Sequence, residues 1–143
     1  MGAGFKISTM ISFLKSLFRK NDNHRPDLDK AEVRRLEKAL HKWVEERRYR
    51  EYCISREEIA AQLNTSRSFL NRYFTQILKE DFNTWRTRLR VEDAKKVLID
   101  NRELPINIVG EMVGFSDRSN FHRQFVKLVG CSPRQWRESG GKP

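Results

Sequence analysis

The chain has 143 residues, enough for one ordinary domain with an apolar core but too few for two full-sized domains. Lys and Arg number 29 against 19 Asp and Glu, and the formal charge of +10 suits a polyanionic partner, either nucleic acid or an anionic membrane surface. Cys53 and Cys131 are far apart and form no CxxC or His–Cys cluster, which argues against a disulfide framework or a zinc site. Because no Gly-rich phosphate loop, HExxH or GxSxG motif occurs, we predict a protein that is not an enzyme and uses no metal or cofactor.

The first 26 residues are predicted to form an amphipathic segment followed by a linker. Apolar side chains recur at helical spacing from Ile7 to Phe18, but this stripe is too short to span a bilayer. Residues 20–26 are polar and break the periodicity, as is typical of a linker. The segment can be interpreted as a membrane-surface, dimerisation or sensor-coupling helix. It can also be the trimmed end of a longer protein, which is the interpretation that we favour. We expect a cytoplasmic protein, with membrane association through residues 1–20 as the alternative.

Two longer helices are predicted. Asp27 or Asp29 can cap a helix that reaches about Tyr49, because Asp accepts hydrogen bonds from the free amide groups at a helix start. The inward face of this helix consists of Val33, Leu36, Leu40, Trp43 and Val44. A second helix, over about residues 83–99, has an apolar face formed by Trp85, Leu89, Ala94, Val97 and Leu98. We expect its basic residues to face mostly outward, namely Arg86, Arg88, Arg90, Lys95 and Lys96.

Residues 30–81 carry the pattern of a helix-turn-helix unit. Ser55 and Glu58 form a capping box that opens a short helix, and Asn64 ends it because asparagine tolerates a left-handed backbone. Ser66 then caps the next helix. The inward residues of that helix are predicted to be Phe69, Leu70, Phe74 or Tyr73, Ile77 and Leu78. Two short helices joined by a turn of a few residues form a helix-turn-helix unit.

Residues 101–138 carry a second pattern of the same kind. Pro105 opens a short helix and Gly114 ends it, since proline fits a first helical turn and glycine accepts a left-handed backbone. Asp117 caps the following helix, and Ser132 starts a last helical turn after Gly130. The predicted inward residues are Ile106, Val109, Met112 and Val113 in the first helix, and Phe121, Phe125 and Leu128 in the second.

The chain matches itself when it is shifted by about 50 residues. The aligned positions are Ile59-Ala60 with Val109-Gly110, Leu63-Asn64 with Val113-Gly114 and, after one inserted residue, Leu70 with Phe121, Arg72 with Arg123 and Phe74 with Phe125. Because capping, turn and core positions agree, we interpret the repeat as an internal duplication of a helix-turn-helix. Together with the basic charge, the duplication indicates DNA binding.

Three segments also carry a family resemblance: REEIAAQLNTSRSFLNRYF, RVEDAKKVL and INIVGEMVGFSDRSNFHRQFVKLVGCSPRQWR. Over residues 30–137 they resemble the DNA-binding domain of the AraC/XylS transcription regulators of bacteria. The resemblance implies an all-α fold of about seven helices within residues 27–143, in which two helix-turn-helix subdomains, about residues 30–81 and 101–138, are joined by a connecting helix of about residues 83–99. It also implies a transcription regulator, either an activator or a repressor, that binds double-stranded DNA and contacts RNA polymerase.

Three positions depart from the pattern of that family. Asn64 stands where the first turn commonly has Gly, and Glu80-Asp81 stand where a Gly commonly follows the first recognition helix. Gly110 stands where the second unit commonly has Ala, a change expected to cost about 1 kcal/mol of helix stability.

Ten residues are predicted to contact DNA. Leu70 and Phe74 must face the core of the first unit, so the outer face of its second helix is left for the major groove. This face consists of Arg67, Ser68, Asn71 and Arg72, and the equivalent face of the second unit consists of Arg118, Ser119, His122 and Arg123. Arg can pair with guanine and Asn with adenine, each pair discriminating by about 1–3 kcal/mol, although such residues can also be solvated or hold phosphate. At the start of the last helix, Arg134 and Gln135 can donate to phosphate.

The leading hypothesis is a sequence-specific regulator that reads two adjacent major-groove segments about 34 Å apart, because the connecting helix is rigid. One alternative is a membrane-associated signalling protein, or a fragment of a larger sensor-regulator, whose residues 1–20 meet the membrane or a sensor domain. Another is an interaction module for proteins, which would lack a salt-dependent affinity for duplex DNA.

Overall fold

The computed structural model describes residues 28–142, so the predicted N-terminal segment, its linker and the alternative cap Asp27 lie outside the described residues. Within this range every regular element is helical. The elements are α1 (Lys30–Glu45), a 3-10 turn (Arg48–Arg50), α2 (Arg56–Gln62), α3 (Arg67–Tyr73), a π-helical turn (Phe74–Leu78), α4 (Phe82–Asp100), α5 (Ile106–Met112), α6 (Arg118–Val129) and α7 (Pro133–Glu138). The prediction of an all-α fold with about seven helices is confirmed. No helix in residues 28–142 combines the length and apolar character needed to cross a membrane.

The described residues divide into two compact bodies. The first body consists of residues 28–48 and 53–84, and the second body consists of residues 49–52 and 85–142. Helix α4 therefore begins in the first body and continues into the second. The segment 49–52 lies between α1 and α2 in the chain but packs with the second body.

Helix α1 is shorter than predicted. It begins after Asp29, whose side chain accepts a hydrogen bond of 2.9 Å from the amide of Ala31. The helix ends at Glu45, because Arg47 adopts a left-handed backbone with a φ of 55° that cannot continue a helical ladder. The expectation that α1 reaches Tyr49 is thus wrong, and Tyr49 lies in the 3-10 turn that follows.

An aromatic cluster forms the centre of the first body. The ring of Phe82 meets Trp43 at 5.7 Å and Phe74 at 5.2 Å between centroids, both edge to face. Tyr73 and Phe74, between which the sequence left a choice, are both fully buried. The indole nitrogen of Trp43 donates to Gln62 at 2.9 Å, so its polar group is satisfied inside this core.

The turn between α2 and α3 agrees with the sequence expectations. Ser55 and Glu58 form a reciprocal capping box, and Ser66 accepts a hydrogen bond from the amide of Phe69 at 3.1 Å. Asn64 adopts the left-handed conformation with a φ of 54°. These local interactions fix where α3 starts.

The π-helical turn after α3 explains one departure from the family pattern. Lys79, directly before Glu80-Asp81, ends the π-helical turn in a left-handed conformation with φ of 58°. Asp81 instead accepts hydrogen bonds from the amide and hydroxyl of Thr84 at 3.0 and 2.6 Å, and so caps α4. The residue that carries the strain at this turn is therefore Lys79.

Replacing Lys79 by Gly should stabilise the protein by about 1 kcal/mol, because glycine adopts the left-handed backbone without the penalty of a Cβ atom. Urea unfolding of the full chain measures the change. Lys79→Ala is the matched control, since it removes the same charge and keeps the strain. Equal unfolding midpoints for the two variants would show that the backbone at residue 79 is not strained.

The core of the second body joins α4, α5 and α6. Its buried members are Val91, Ala94, Val97, Leu98, Val109, Val113, Phe115, Phe121 and Phe125. Two predicted core residues are exposed instead, Met112 by 40% and Leu128 by 44%. The buried line of α6 follows a spacing of four residues, so Val129 packs against the core and Leu128 lies about 100° away from it. Met112 is displaced from Val113 by the same angle.

Gly110 allows a close approach between α5 and α6. A Cβ atom at this position would lie 2.7 Å from Cδ1 and 2.9 Å from Cγ of Phe121. The Phe121 ring cannot move away easily, because it is buried between Phe115 and Phe125 at centroid distances of 5.2 and 5.9 Å. The glycine that looked only like a cost to the helix thus makes room for a core ring.

Gly110→Ala should therefore destabilise the protein by about 1 kcal/mol, since overpacking outweighs the gain in helix propensity. The free energy of unfolding in urea tests this. Ala60→Gly, the opposite change at the aligned position of the first body, is also expected to cost about 1 kcal/mol, through propensity. A higher unfolding midpoint for Gly110→Ala would contradict the close approach.

Candidate nucleic-acid interface

Helix α3 exposes the four residues that the sequence assigns to the first recognition face. Arg67, Ser68, Asn71 and Arg72 are all exposed, whereas Phe69, Leu70 and Tyr73 of the same helix are buried. The exposed positions are spaced by one, three and four residues and so form one continuous side of the helix.

Helix α2 orients two of these side chains. Glu57 accepts a hydrogen bond of 2.6 Å from Arg67, and Arg56 donates one of 3.1 Å to the side-chain oxygen of Asn71. The Arg56 guanidinium also lies over the ring of Phe82, 5.2 Å from its centroid. The side chains of Ser68 and Arg72 make no hydrogen bond or ion pair with any residue in 28–142. Arg72 is therefore available to a ligand as a charged donor.

Helix α6 presents the corresponding face of the second body. Arg118, Ser119, His122 and Arg123 are exposed, opposite the buried Phe121 and Phe125. Asp117 caps the helix by accepting from the amides of Ser119 and Asn120 at 2.7 and 3.2 Å.

On this α6 face, Arg118 and His122 are available to a ligand and Arg123 is engaged by a neighbouring side chain. Arg123 donates to Asn120 at 3.1 Å. Among the described residues, the side chains of Arg118 and His122 have no hydrogen-bonding or ionic partner. Arg118 on α6 thus resembles Arg72 on α3, since both are exposed arginines whose side chains have no partner among the described residues.

The start of α7 is engaged in local bonds. Arg134 pairs with Glu138 at 2.9 Å, and the side-chain oxygen of Gln135 accepts from the amide of Ser132 as part of a capping box. Both residues are exposed, as expected, but Gln135 keeps only its amide NH2 group for a phosphate. Trp136 and Arg137 anchor the helix by donating to the carbonyls of Lys95 and Leu98 at 2.9 and 3.0 Å.

One basic residue of α4 is placed opposite to the sequence expectation. Arg90 was expected to face outward, but it is 7% exposed and donates to backbone carbonyls of the 49–51 segment. Burial lowers the pKa of Arg90 to about 10, with a smaller contribution from the charge of Arg86. The group still carries its proton at neutral pH, so a buried charge lies beside the turn between α5 and α6. Hydropathy patterns cannot reveal this, because Arg90 has the same polarity as its exposed neighbours.

The capping carboxylate of Glu58 makes the stability of the protein depend on pH. Hydrogen bonds from the amide and hydroxyl of Ser55 hold the pKa of Glu58 below its ordinary value of 4.5. A carboxyl group whose pKa is lowered on folding stabilises the protein above its unfolded pKa and loses that contribution as the pH falls through its folded pKa. The same sign holds for Asp81, whose pKa is lowered by the hydrogen bonds from Thr84.

We therefore expect the free energy of unfolding to fall as the pH drops below about 4.5, and Glu58→Gln to reduce this dependence. Urea titrations from about pH 6 to about pH 3 would measure both curves. The Gln side chain keeps a hydrogen-bond acceptor for the capping box and removes the titrating proton. Parallel curves for wild type and variant would contradict the assignment.

Two helices joined by a tight turn, the second of them capped and bearing an exposed polar face, occur once in each body and define a protein of the helix-turn-helix class. A family model described as a helix-turn-helix domain matches residues 59–139, more than half of the chain. The arabinose operon regulatory protein of Escherichia coli K12 is 37% identical over 79 residues, which are 55% of this chain and 27% of that protein. The chain belongs to the AraC/XylS family of helix-turn-helix transcription regulators.

Solved structures agree with this assignment. The C-terminal domain of AraT, a response regulator from Geobacillus stearothermophilus, has a TM-score of 0.63 at 30% identity, with 73% of this chain and 84% of that chain covered. A transcriptional regulator of AraC type from Chromobacterium violaceum has the same fold, with a TM-score of 0.64 at 23% identity and coverage of 80% of this chain and 99% of that chain. The chain spans less than a third of the length of the curated relatives it matches.

Proposed function

We propose that the chain binds double-stranded DNA in a sequence-specific manner, with α3 and α6 as recognition helices in two adjacent major-groove segments. The observation that carries this proposal is the matched pair of exposed faces, Arg67/Ser68/Asn71/Arg72 and Arg118/Ser119/His122/Arg123. Each face lies on a helix whose opposite side is fully buried, so it has the rigid support that base recognition requires.

The chemistry of the two faces suits base edges in the major groove. A guanidinium group pairs with two acceptors of guanine, and an Asn amide pairs with a donor and an acceptor of adenine. Arg72 and Arg118 have no partner among the described residues, so neither side chain must give up a protein hydrogen bond to reach a base. In this proposal, phosphate groups are held by Arg67, Arg123, Arg134 and the Gln135 amide. Phosphate contacts carry no sequence information directly, so these side chains can exchange a protein partner for phosphate without affecting base recognition.

The net charge of +10 supports the same partner, because positive charge releases counterions from duplex DNA on binding. One of the relatives named above is an operon regulatory protein, and we propose that this chain likewise regulates transcription, in the bacterial cytoplasm and through contact with RNA polymerase. In this proposal the units at residues 30–81 and 101–138 each supply one recognition helix.

Arg72→Ala and Arg118→Ala should each weaken binding to the preferred duplex by about 1–3 kcal/mol and relax base preference at one or two positions. The preferred duplex is first selected from a random-sequence pool with the wild-type chain, and the positions affected by the two variants should not overlap. Arg34→Ala, on the exposed side of α1, controls for the loss of one positive charge.

A different pattern would reassign a residue. If Arg118→Ala lowers affinity evenly across sequences and flattens the salt slope by about one unit, then Arg118 holds phosphate and does not read a base. If the wild-type chain selects no sequence from the pool, the proposal of sequence-specific binding fails as a whole.

A further inference from the structure

The turn between α5 and α6 rests directly on the backbone of the 49–51 segment. Gly114, in this turn, has a φ of 112°, and a Cβ atom there would lie 2.8 Å from the carbonyl oxygen and 3.0 Å from the Cα of Arg50. Both the backbone angle and the space therefore require glycine. The close approach also means that a shift of residues 49–51 must move the turn.

The 49–51 segment is itself held by two side chains of α4. Asp93 accepts two parallel hydrogen bonds from Arg50 at 2.7 and 2.9 Å, and a third from the hydroxyl of Tyr49 at 2.9 Å. Arg90 donates to the carbonyls of Tyr49 and Glu51 at 2.6 and 2.9 Å, on either side of Arg50. We call these four residues, Tyr49, Arg50, Arg90 and Asp93, the Asp93 cluster.

The same cluster reaches toward the start of the second recognition helix. The Arg90 guanidinium lies 5.9 Å from the ring centroid of Phe115, the residue after Gly114. Phe115 packs at 5.2 Å against Phe121, which is the first buried residue of α6. Contacts thus run without a break from α4 through residues 49–51 and the turn to α6.

We propose that Asp93 and Arg90 are positioning residues that set the angle at which α6 presents its recognition face. Neither has an exposed side chain, so neither touches DNA. They act by holding residues 49–51 in the place on which the α5–α6 turn rests. The inference depends on the proposed DNA binding by α6. Because hydrogen bonds to bases weaken steeply when distances and angles change, a small displacement of the turn would remove base recognition by α6 and leave α3 unaffected.

The test uses the full chain and three duplexes: the selected duplex and two derivatives in which one half of the site is scrambled. The half read by α6 is identified as the one at which Arg118→Ala loses base preference. Asp93→Asn removes the charge and one strong acceptor without changing the shape of the side chain, and Arg90→Lys keeps the charge but loses the fork that reaches two carbonyls. Glu92→Gln is the matched control, since it changes a carboxylate of the same helix that lies outside the Asp93 cluster and pairs with the partly buried Lys95 at 3.2 Å.

We expect Asp93→Asn and Arg90→Lys to lower affinity for the selected duplex by about tenfold or more, as for the loss of one or two base contacts. For these variants, the ratio of the affinity for the selected duplex to that for the duplex scrambled in the α6 half should fall toward one. The corresponding ratio for the duplex scrambled in the α3 half should stay at the wild-type value. Glu92→Gln should match the wild type on all three duplexes. If Asp93→Asn does not melt cooperatively, the milder Arg90→Lys variant carries the test.

Other results would overturn the inference in distinguishable ways. If both variants keep full discrimination in the α6 half, the Asp93 cluster does not position α6. An equal loss in both halves would mean that the cluster supports general stability only. A wild-type chain that discriminates in neither half would instead refute the proposed function, before the variants are considered.

Discussion

A helix of seven residues is too short to be stable alone, because the cost of nucleation is not recovered in two turns. Helices α2, α3 and α5 all have this length, and all three belong to the helix-turn-helix units that carry the proposed recognition faces. Their stability must come from caps at their ends and from the apolar line that each buries. The exposed faces of α3 and α6 are held in place because the opposite sides of these helices are buried in the core.

The two helix-turn-helix turns meet this constraint with the same backbone hydrogen bonds. In the first turn, the amide of Thr65 donates to the carbonyl of Ala60 at 3.0 Å, and in the second the amide of Phe115 donates to that of Gly110 at 2.9 Å. The residue in the left-handed conformation is Asn64 in one and Gly114 in the other. Asparagine suffices at the exposed position 64, whereas Gly114 lies against the backbone of Arg50 and must be glycine.

Arginine has two opposite roles in this chain, and the net charge does not distinguish them. Arg72 and Arg118 extend from exposed faces and keep their donors for a ligand. Arg90 and Arg137 instead donate hydrogen bonds to backbone carbonyls that are 41 and 39 residues away in the sequence. The fork of the guanidinium group makes both uses possible, because it binds two acceptors in a fixed geometry.

Local interactions explain how much of the protein was predictable from its sequence. Capping boxes, left-handed turn residues and the spacing of buried side chains act within a few residues, so the sequence alone determined the helices, the turns at Asn64 and Gly114 and the exposure of all ten proposed contact residues.

The tertiary structure alone decided the rest. The burial of Arg90 and the bonding of residues 49–51 to α4 depend on partners about 40 residues away in the chain. The end of α1 at Glu45, which follows from the left-handed backbone of Arg47, was not predicted by the periodic pattern either. A periodic pattern shows which side of a helix is apolar, but it does not show that the buried carboxylate of Asp93 on α4 pairs with Arg50 in the 3-10 turn. Such a pairing exists only when folding brings the two groups together and removes the water that would otherwise solvate them.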